Sequence, residues 1–298
     1  MSQSMTIKNR RRYDRMARKA LFIVGLCLAV SLLGTGLVHS QPDGQDGASD
    51  CRHCGKEAGE ITQRLKRADG FYASFKPGEA LKELLRVLTL SPEHHEALVK
   101  TARTYIDIGD LTSDSAADWQ EQRLKYYRTA ESYARKAVTT DPHSTWGHFY
   151  IAASLGKIAL LSPIATQIDL SKEIREAVER ALALDPRNGF AYHVYGIWQR
   201  RMAEIGQMSR MLASLVLRRT VPEGSMEKSE EYFQKAISLN PTVIVHRLEM
   251  AKTSIALAKW QQARAQLRSA LELPIQFSDD PLHKQEAQQL LQELKDRQ

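Results

Sequence analysis

A short phrase that ends in proline recurs five times along this chain and constrains its fold more than any other feature. In four copies a small or apolar residue is followed by four residues and a proline, and in the fifth the gap is three residues. Apolar residues recur at intervals of three and four before each proline, which is the spacing of a buried helical stripe. Because proline cannot continue a helix, the phrase predicts an array of helical repeats. The copies are Val87–Pro92, Ala137–Pro142, Ala181–Pro186, Ala236–Pro241 and Ala270–Pro274.

A small residue stands ten positions after each of the first four prolines, namely Ala102, Ala152, Gly196 and Ala251. A small side chain at one fixed position allows a neighbouring helix to approach closely. Each repeat is therefore predicted to have a helix A after the proline and a helix B that ends at the next proline.

The distances between successive prolines are uneven, at 50, 44, 55 and 33 residues. Because the spacing on either side of each proline stays constant, the extra residues must lie between helix A and helix B. We therefore expect long A–B turns, which make the repeats irregular, near 110–123, 158–170 and 203–224.

The composition favours an all-α protein with one large core. The chain of 298 residues is 43% apolar and 26% charged, and no run alternates apolar and polar residues as a half-buried strand would. Its net charge of +7 comes mostly from residues 1–20, which contain seven Lys or Arg and one Asp, so the rest carries only +1. The charge therefore gives no support to nucleic-acid binding, which needs a basic face on the folded domain.

The first 40 residues have the pattern of a targeting segment. A basic stretch is followed by the uncharged apolar run 21–38, which predicts an N-terminal apolar leader helix. Residues 1–40 fit a cleaved secretory signal peptide or a retained signal anchor, and the run 21–38 would provide the membrane contact. In both cases the basic flank predicts that the rest of the chain is exported across, or anchored in, a membrane on its periplasmic or extracytoplasmic side. Association with an organelle is the alternative.

Residues 41–60 are polar and rich in turn-forming residues, which predicts a flexible linker. This stretch contains Cys51, His53 and Cys54. A structural zinc site needs four ligands, so these residues are weak metal candidates. A plain linker, a local disulfide, a metal site and a minor redox role all remain open.

The A helices are predicted to line a groove that binds a peptide or partner protein. Cations beside aromatic rings can hold an acidic or C-terminal peptide. The alternative is that the rings fill the core and the arginines lie in solvent. The candidate partner-binding residues are Arg103, Trp146, Phe149, Lys157, Phe190, His193, Arg200, Arg201 and Lys252.

The segment 203–224 carries an apolar helical stripe beside arginines. It is predicted either to pack on neighbouring repeats or to expose a docking patch for a partner or a membrane surface. The residues of this candidate insertion surface are Met208, Arg210, Met211, Leu212 and Leu215.

The repeat pattern over 61–298 resembles about five tetratricopeptide repeats, each a helix A–turn–helix B unit. A narrower set of residues resembles the regulator of microtubule dynamics family, and the tail ALELPIQFSDDPLHKQEAQQLL is similar to that family's closing segment. This resemblance implies an irregular tetratricopeptide-like domain that binds proteins and, in animal members, associates with microtubules or organelle membranes. It implies no catalytic residues. The matching residues are HVYGIW at 193–198, Ala203, Glu204, Arg210, Leu212 and the run 222–241.

The sequence therefore predicts a non-enzymatic scaffold or adaptor with no cofactor and an unidentified protein or peptide partner. Its predicted parts are the leader 1–40, the linker 41–60 and the repeat domain 61–298. The alternative is a microtubule- or membrane-associated regulator, as in the resembled family. An exported location would separate the domain from tubulin, so the leader argues against microtubule binding.

Overall fold

The structure is a computed structural model that describes residues 50–218 and 220–297, and the chain from His53 onwards forms one compact unit. Within the described residues every regular element is a helix, and there are twelve. They are α1 (Asp50–Ala73), α2 (Pro77–Leu90), α3 (His95–Leu111), α4 (Trp119–Thr140), α5 (Thr145–Leu160), α6 (Ile164–Leu184), α7 (Gly189–Ala203), α8 (Gln207–Leu217), α9 (Met226–Leu239), α10 (Ile244–Ala256), α11 (Trp260–Glu272) and α12 (Asp280–Glu293).

The helices pair into hairpins, which confirms the all-α, tetratricopeptide-like prediction. Helix α3 packs on α4, α5 on α6, α7 on α9, and α10 on α11. The A helices α3, α5, α7 and α10 also contact one another in sequence, and α12 packs on α10 at the end of the row. The A helices and α12 therefore share a continuous row of contacts.

The prolines end the B helices as the sequence predicted. Helices α2, α4, α6 and α9 each end two residues before a proline. The intervening residue has a non-helical backbone, as the clash with the proline ring requires, although its N–H still donates to the carbonyl four residues earlier. These residues are Ser91, Asp141, Asp185 and Asn240.

The A helices then begin with side-chain caps. His94, Ser144 and Asn188 each accept a hydrogen bond from the backbone N–H three residues later, which satisfies one of the free donors of the first turn. Proline and cap together fix where these three helices start, three residues after the proline. Helix α10 starts at the same distance after Pro241, although Val243 provides no side-chain cap.

The small residues lie where helices approach most closely. Ala102, Ala152 and Ala251 are completely buried. A Cβ added to Gly196 would lie 2.9–3.0 Å from the Phe233 ring, so only glycine fits at this A–B contact without a shift.

Three groups of buried side chains form the core. The first lies between α1 and α3, the central and largest extends from α3 to the region after α8, and the third joins α10, α11 and α12. Burial is therefore distributed along the array, as expected for repeats that contact mainly their neighbours.

The predicted long turns differ from the structure in two of three places. Residues 112–118 connect α3 to α4, but the second segment is helical except for the turn 161–163. Its extra residues lengthen α5 and α6 because they continue the helical spacing of apolar residues until Pro163 breaks it. Only the third segment adds an element, the helix α8.

The predicted leader, signal peptide or anchor at 1–40 lies outside the described residues. Helix α1 begins at Asp50, inside the stretch 41–60 for which a flexible linker was predicted, so residues 50–60 are helical. Among the described helices, none is long and apolar enough to cross a membrane.

Candidate functional site

The candidate site is the surface that α3, α5, α7, α10 and α12 line together, which we call the inner face. At one end of it four rings meet, and we call them the aromatic cluster: Trp146, Phe149, Phe190 and Phe277. The Phe190 ring lies 6.1 Å from Trp146, 6.3 Å from Phe149 and 6.0 Å from Phe277, mostly edge to face. Phe149 is buried, but Trp146 is 40% exposed, so the cluster is open to solvent along one edge.

Lys157 and Asp110 form an ion pair further along the inner face. The ammonium group of Lys157 lies 2.7–2.8 Å from both Asp110 oxygens, and the Tyr127 hydroxyl donates to the same carboxylate at 2.7 Å. Burial alone would lower the pKa of Lys157, but the Asp110 carboxylate outweighs burial and raises it. Lys157 therefore stays charged and already has a partner.

Asp107 and Arg103 precede Asp110 on the same helix, α3. The Arg103 guanidinium lies over the Tyr72 ring of α1, 3.6 Å from its centre. Burial, together with the nearby carboxylates of Asp279 and Asp110, raises the pKa of Asp107 to about 7. One Asp107 oxygen has no hydrogen-bond partner among the described residues.

Arg200 and Glu249 form a buried ion pair between α7 and α10. Arg200 is only 4% exposed, and its guanidinium donates to the Glu249 carboxylate, to the Glu249 carbonyl at 2.8 Å and to the Thr253 hydroxyl at 3.0 Å. Lys252 also reaches Glu249, at 2.6 Å, and Glu286 of α12, at 2.9 Å. Burial would raise the pKa of Glu249, but the two cations outweigh it and hold the pKa well below its usual range.

Two histidines meet beside these pairs. The Nδ1 atoms of His193 on α7 and His246 on α10 are 3.1 Å apart, and His246 is completely buried. Burial lowers the pKa of His193 to about 3 and that of His246 well below its ordinary value, where the His193 charge adds to the effect. Both rings are therefore neutral near pH 7.

The structure brings most of the predicted groove residues together, but it uses them differently. Trp146, Phe149 and Phe190 share one cluster, whereas Lys157, Arg200 and Lys252 are paired with carboxylates of this chain. Arg200 and Arg103 are held between helices, while Arg201 is exposed and lies 3.3 Å from Glu204. These candidate residues therefore do not form a groove of unpaired cations that could hold an acidic peptide.

Sequence reasoning missed the carboxylates of the inner face. Asp107 and Asp110 fell at or beside the segment assigned to the first long turn, and Glu249 carried no motif. Asp279 and Asp280 were not among the candidate site residues. Asp280 is buried and accepts the backbone N–H groups of Gln276 and Phe277, at 2.7 and 2.8 Å. The repeat register could have placed Asp107 and Asp110 on helix A of repeat two.

The insertion surface forms a separate exposed patch. Helix α8 was predicted from its apolar stripe, and five members of that stripe are 49–72% exposed. Arg210 does not lie on this patch, because its guanidinium donates to backbone carbonyls of Ile205, Val221, Pro222 and Met202. The exposed members are Met208, Met211, Leu212, Leu215 and Val216.

The weak metal candidates Cys51, His53 and Cys54 belong to the first turns of α1, and the described part of the structure does not include their side chains.

The His283 ring lies against the Asp279 and Asp280 carboxylates, at 3.5 and 3.8 Å. The backbone turn at 276–280 already engages Asp280, so we interpret this group as the structural support of the turn that precedes α12.

The hairpin array and its inner face define a helical-repeat protein of the tetratricopeptide class, in which stacked A helices present a surface for another chain. The solved structure of a thermophilic tetratricopeptide-repeat protein from Thermus thermophilus has the same fold. It aligns with 77% of this chain and 99% of its own at a TM-score of 0.55, with 17% sequence identity.

The chain belongs to the regulator of microtubule dynamics protein 1-3 family, whose sequence profile matches residues 64–295. Regulator of microtubule dynamics protein 1 from Bos taurus is 29% identical over 248 residues, which cover 82% of this chain and 75% of the relative. The protein of the same name from Caenorhabditis elegans is 27% identical over 58% of this chain and 76% of its own length.

This membership corrects the predicted location. The expectation of an exported, periplasmic or extracytoplasmic protein is wrong, because the family to which the chain belongs is named for the regulation of microtubule dynamics. The argument against a microtubule partner depended on that location, so it no longer holds.

Proposed function

We propose that this chain is a non-enzymatic scaffold that binds a segment of a partner protein on its inner face. The observation that carries the proposal is the aromatic cluster, whose Trp146 is 40% exposed on a row of rings anchored by buried Phe149. A rigid aromatic surface with a buried base is the usual centre of a protein interface. The regular helix stack holds it in place before binding, which lowers the ordering cost.

A photo-crosslinking residue at position 146 tests this proposal. The matched control carries the same residue at Glu176, which is exposed on the B helix α6. We expect one or a few protein species to crosslink in cells from position 146 and not from 176. The yield should fall when unmodified chain is added in excess but not when the Trp146→Ala chain is added. Equal products from both positions would contradict the proposal.

A second candidate is a role at microtubules, and the family match over residues 64–295 favours it. The relatives are named for regulating microtubule dynamics, and this chain would do so by binding tubulin or a microtubule-bound protein. Co-sedimentation of the purified chain with polymerised tubulin distinguishes these routes. Saturable pelleting with tubulin alone supports direct binding, whereas no pelleting leaves an intermediary protein and contradicts direct binding.

A further inference from the structure

The segment 274–280, which we call the strap, connects α11 to α12 and lies against the inner face. It contains no helix before Asp280, and its turn is fixed by the Asp280 carboxylate, which accepts the N–H groups of Gln276 and Phe277. The side chain of Gln276 is within hydrogen-bond distance of the Thr242 hydroxyl, at 3.2 Å. The strap is thus a non-helical segment in which residues 274–276 lead into a hydrogen-bonded turn at 277–280.

Phe277 is the contact between the strap and the aromatic cluster. Its ring meets Phe190 edge to face at an angle of 85°, and Phe190 in turn contacts Trp146, Phe149 and His246. Three rings of the cluster come from α5 and α7, whereas the fourth comes from a segment more than eighty residues further along the chain. An aromatic side chain on a non-helical segment therefore already occupies the surface to which we assign partner binding.

The charges of the inner face do not explain this contact. Asp279 lies near Lys157 and His283, but Lys157 is already paired with Asp110, which repels Asp279. Burial and the Asp110 carboxylate raise the pKa of Asp279, and His283 and Lys157 only partly oppose them. The Phe277 ring, and not the Asp279 carboxylate, therefore favours the contact of the strap with the inner face.

Helix α12 has anchors of its own beyond the strap. Ala287 of α12 and Leu294, directly after it, belong to the C-terminal core with Leu267, whereas Phe149 and Phe190 belong to the central core. Within the strap, Ile275 is 46% exposed. Lifting the strap would therefore expose the cluster while the array stays folded.

We propose that the inner face recognises an aromatic side chain on a non-helical segment of a partner protein, and that the strap occupies this position through Phe277 in the free chain. This inference rests on the proposed scaffold function and deepens it. The partner must displace the strap, so its apparent affinity is lowered by the fraction of chains in which the strap is closed. Because the inner-face cations are paired internally, recognition depends on the ring and not on charge.

Binding of a labelled peptide to the whole chain tests the proposal. The probe is ELPIQFSDDPLH, residues 272–283 of this chain. We expect the Phe277→Ala chain to bind it at least about tenfold more tightly than the unaltered chain, which corresponds to a strap closed about 90% of the time or more. Ile275→Ala is the matched control because it shortens an exposed apolar side chain of the same strap, and it should bind as the unaltered chain does.

Two changes to the probe test the chemistry. A probe with Phe277→Ala should lose binding to every chain, whereas a probe with Asp279→Asn should bind no more weakly than the original. Affinity should change less than about threefold between 50 and 300 mM salt, because no unpaired cation is involved. Strong weakening by salt or by the Asn probe would overturn ring-led recognition.

The remaining outcomes separate this inference from the scaffold function. Equal, measurable binding by the unaltered and Phe277→Ala chains would show a working surface and would overturn the role of the strap. No binding by either chain, with both folded by circular dichroism, would overturn the aromatic ligand. The scaffold proposal would then still be judged independently by crosslinking at position 146.

Discussion

Arg200 and Arg201 are neighbours in the sequence but have opposite surroundings. Arg200 is buried between α7 and α10 with its guanidinium on Glu249, whereas Arg201 is exposed beside Glu204. The sequence identified both as cations of helix A, but it could not show which would meet a carboxylate. That depends on the fit of two helices about fifty residues apart in the chain.

Removing Arg200 should destabilise the protein strongly. An Arg200→Met substitution leaves the Glu249 charge buried with fewer partners, which is expected to lower the free energy of unfolding by about 3 kcal/mol. The matched Arg201→Met change removes an exposed cation and should cost less than about 0.5 kcal/mol. Urea unfolding followed by circular dichroism measures both. Similar losses for the two variants would contradict the burial of Arg200 in this pair.

The histidine pair makes stability depend on pH in the acid range. Burial lowers the pKa of His193 to about 3, whereas an unfolded histidine titrates near 6.5. Between these values the unfolded chain binds a proton that the folded chain refuses, so the free energy of unfolding falls as pH drops from about 6.5 towards 3. His193→Gln should remove roughly 1–3 kcal/mol of the loss between pH 7 and pH 4.

Unfolding curves at several pH values check this expectation. His143→Gln provides the matched control, because it makes the same substitution at an exposed histidine before α5. If the His193→Gln profile runs parallel to that of the unaltered chain, the ring is protonated in the folded state and the expectation is wrong.

At the scale of the element, α8 shows how far a pattern can predict structure. The apolar spacing over 203–224 correctly indicated a helix, because a stripe of that period is a local property. It could not indicate whether the stripe faces a neighbour or solvent, and most of its side chains are exposed. Nor could it indicate that the Arg210 guanidinium donates hydrogen bonds to the backbone carbonyls of Ile205, Val221 and Met202.

Arg210 should therefore control the order of the insertion and not the stability of the fold. Arg210→Met removes donors to four backbone carbonyls, so amide hydrogen exchange in 204–224 should become at least about tenfold faster. Helices α5 and α6 should keep their protection. Arg218→Gln, an exposed arginine of the same segment, is expected to change neither. An equal rise in exchange throughout the chain would contradict a local role for Arg210.

At the scale of the whole molecule, the local features that build each repeat differ from the residue pairs that join separate repeats. The proline phrase and the small residues act over a few residues or one hairpin, and they predicted the array and its register. The inner face depends on pairs that join separate repeats, such as Lys157 with Asp110 and Phe277 with Phe190. No periodicity of the chain specifies these pairs, so they became visible only in the folded structure.

A repeat array should lose stability locally when one of its cores is damaged. Leu267 of α11 is completely buried in the C-terminal core with Ile244 and Leu248, and Leu155 of α5 is buried in the central core. Each Leu→Ala change removes about 2–5 kcal/mol of local stability. Because nearest neighbours carry most contacts, Leu267→Ala should speed hydrogen exchange mainly in α10–α12, and Leu155→Ala mainly in α5–α7. Uniform loss of protection in both variants would show that the array unfolds as one cooperative unit, with the strap and α12 coupled tightly to the central helices.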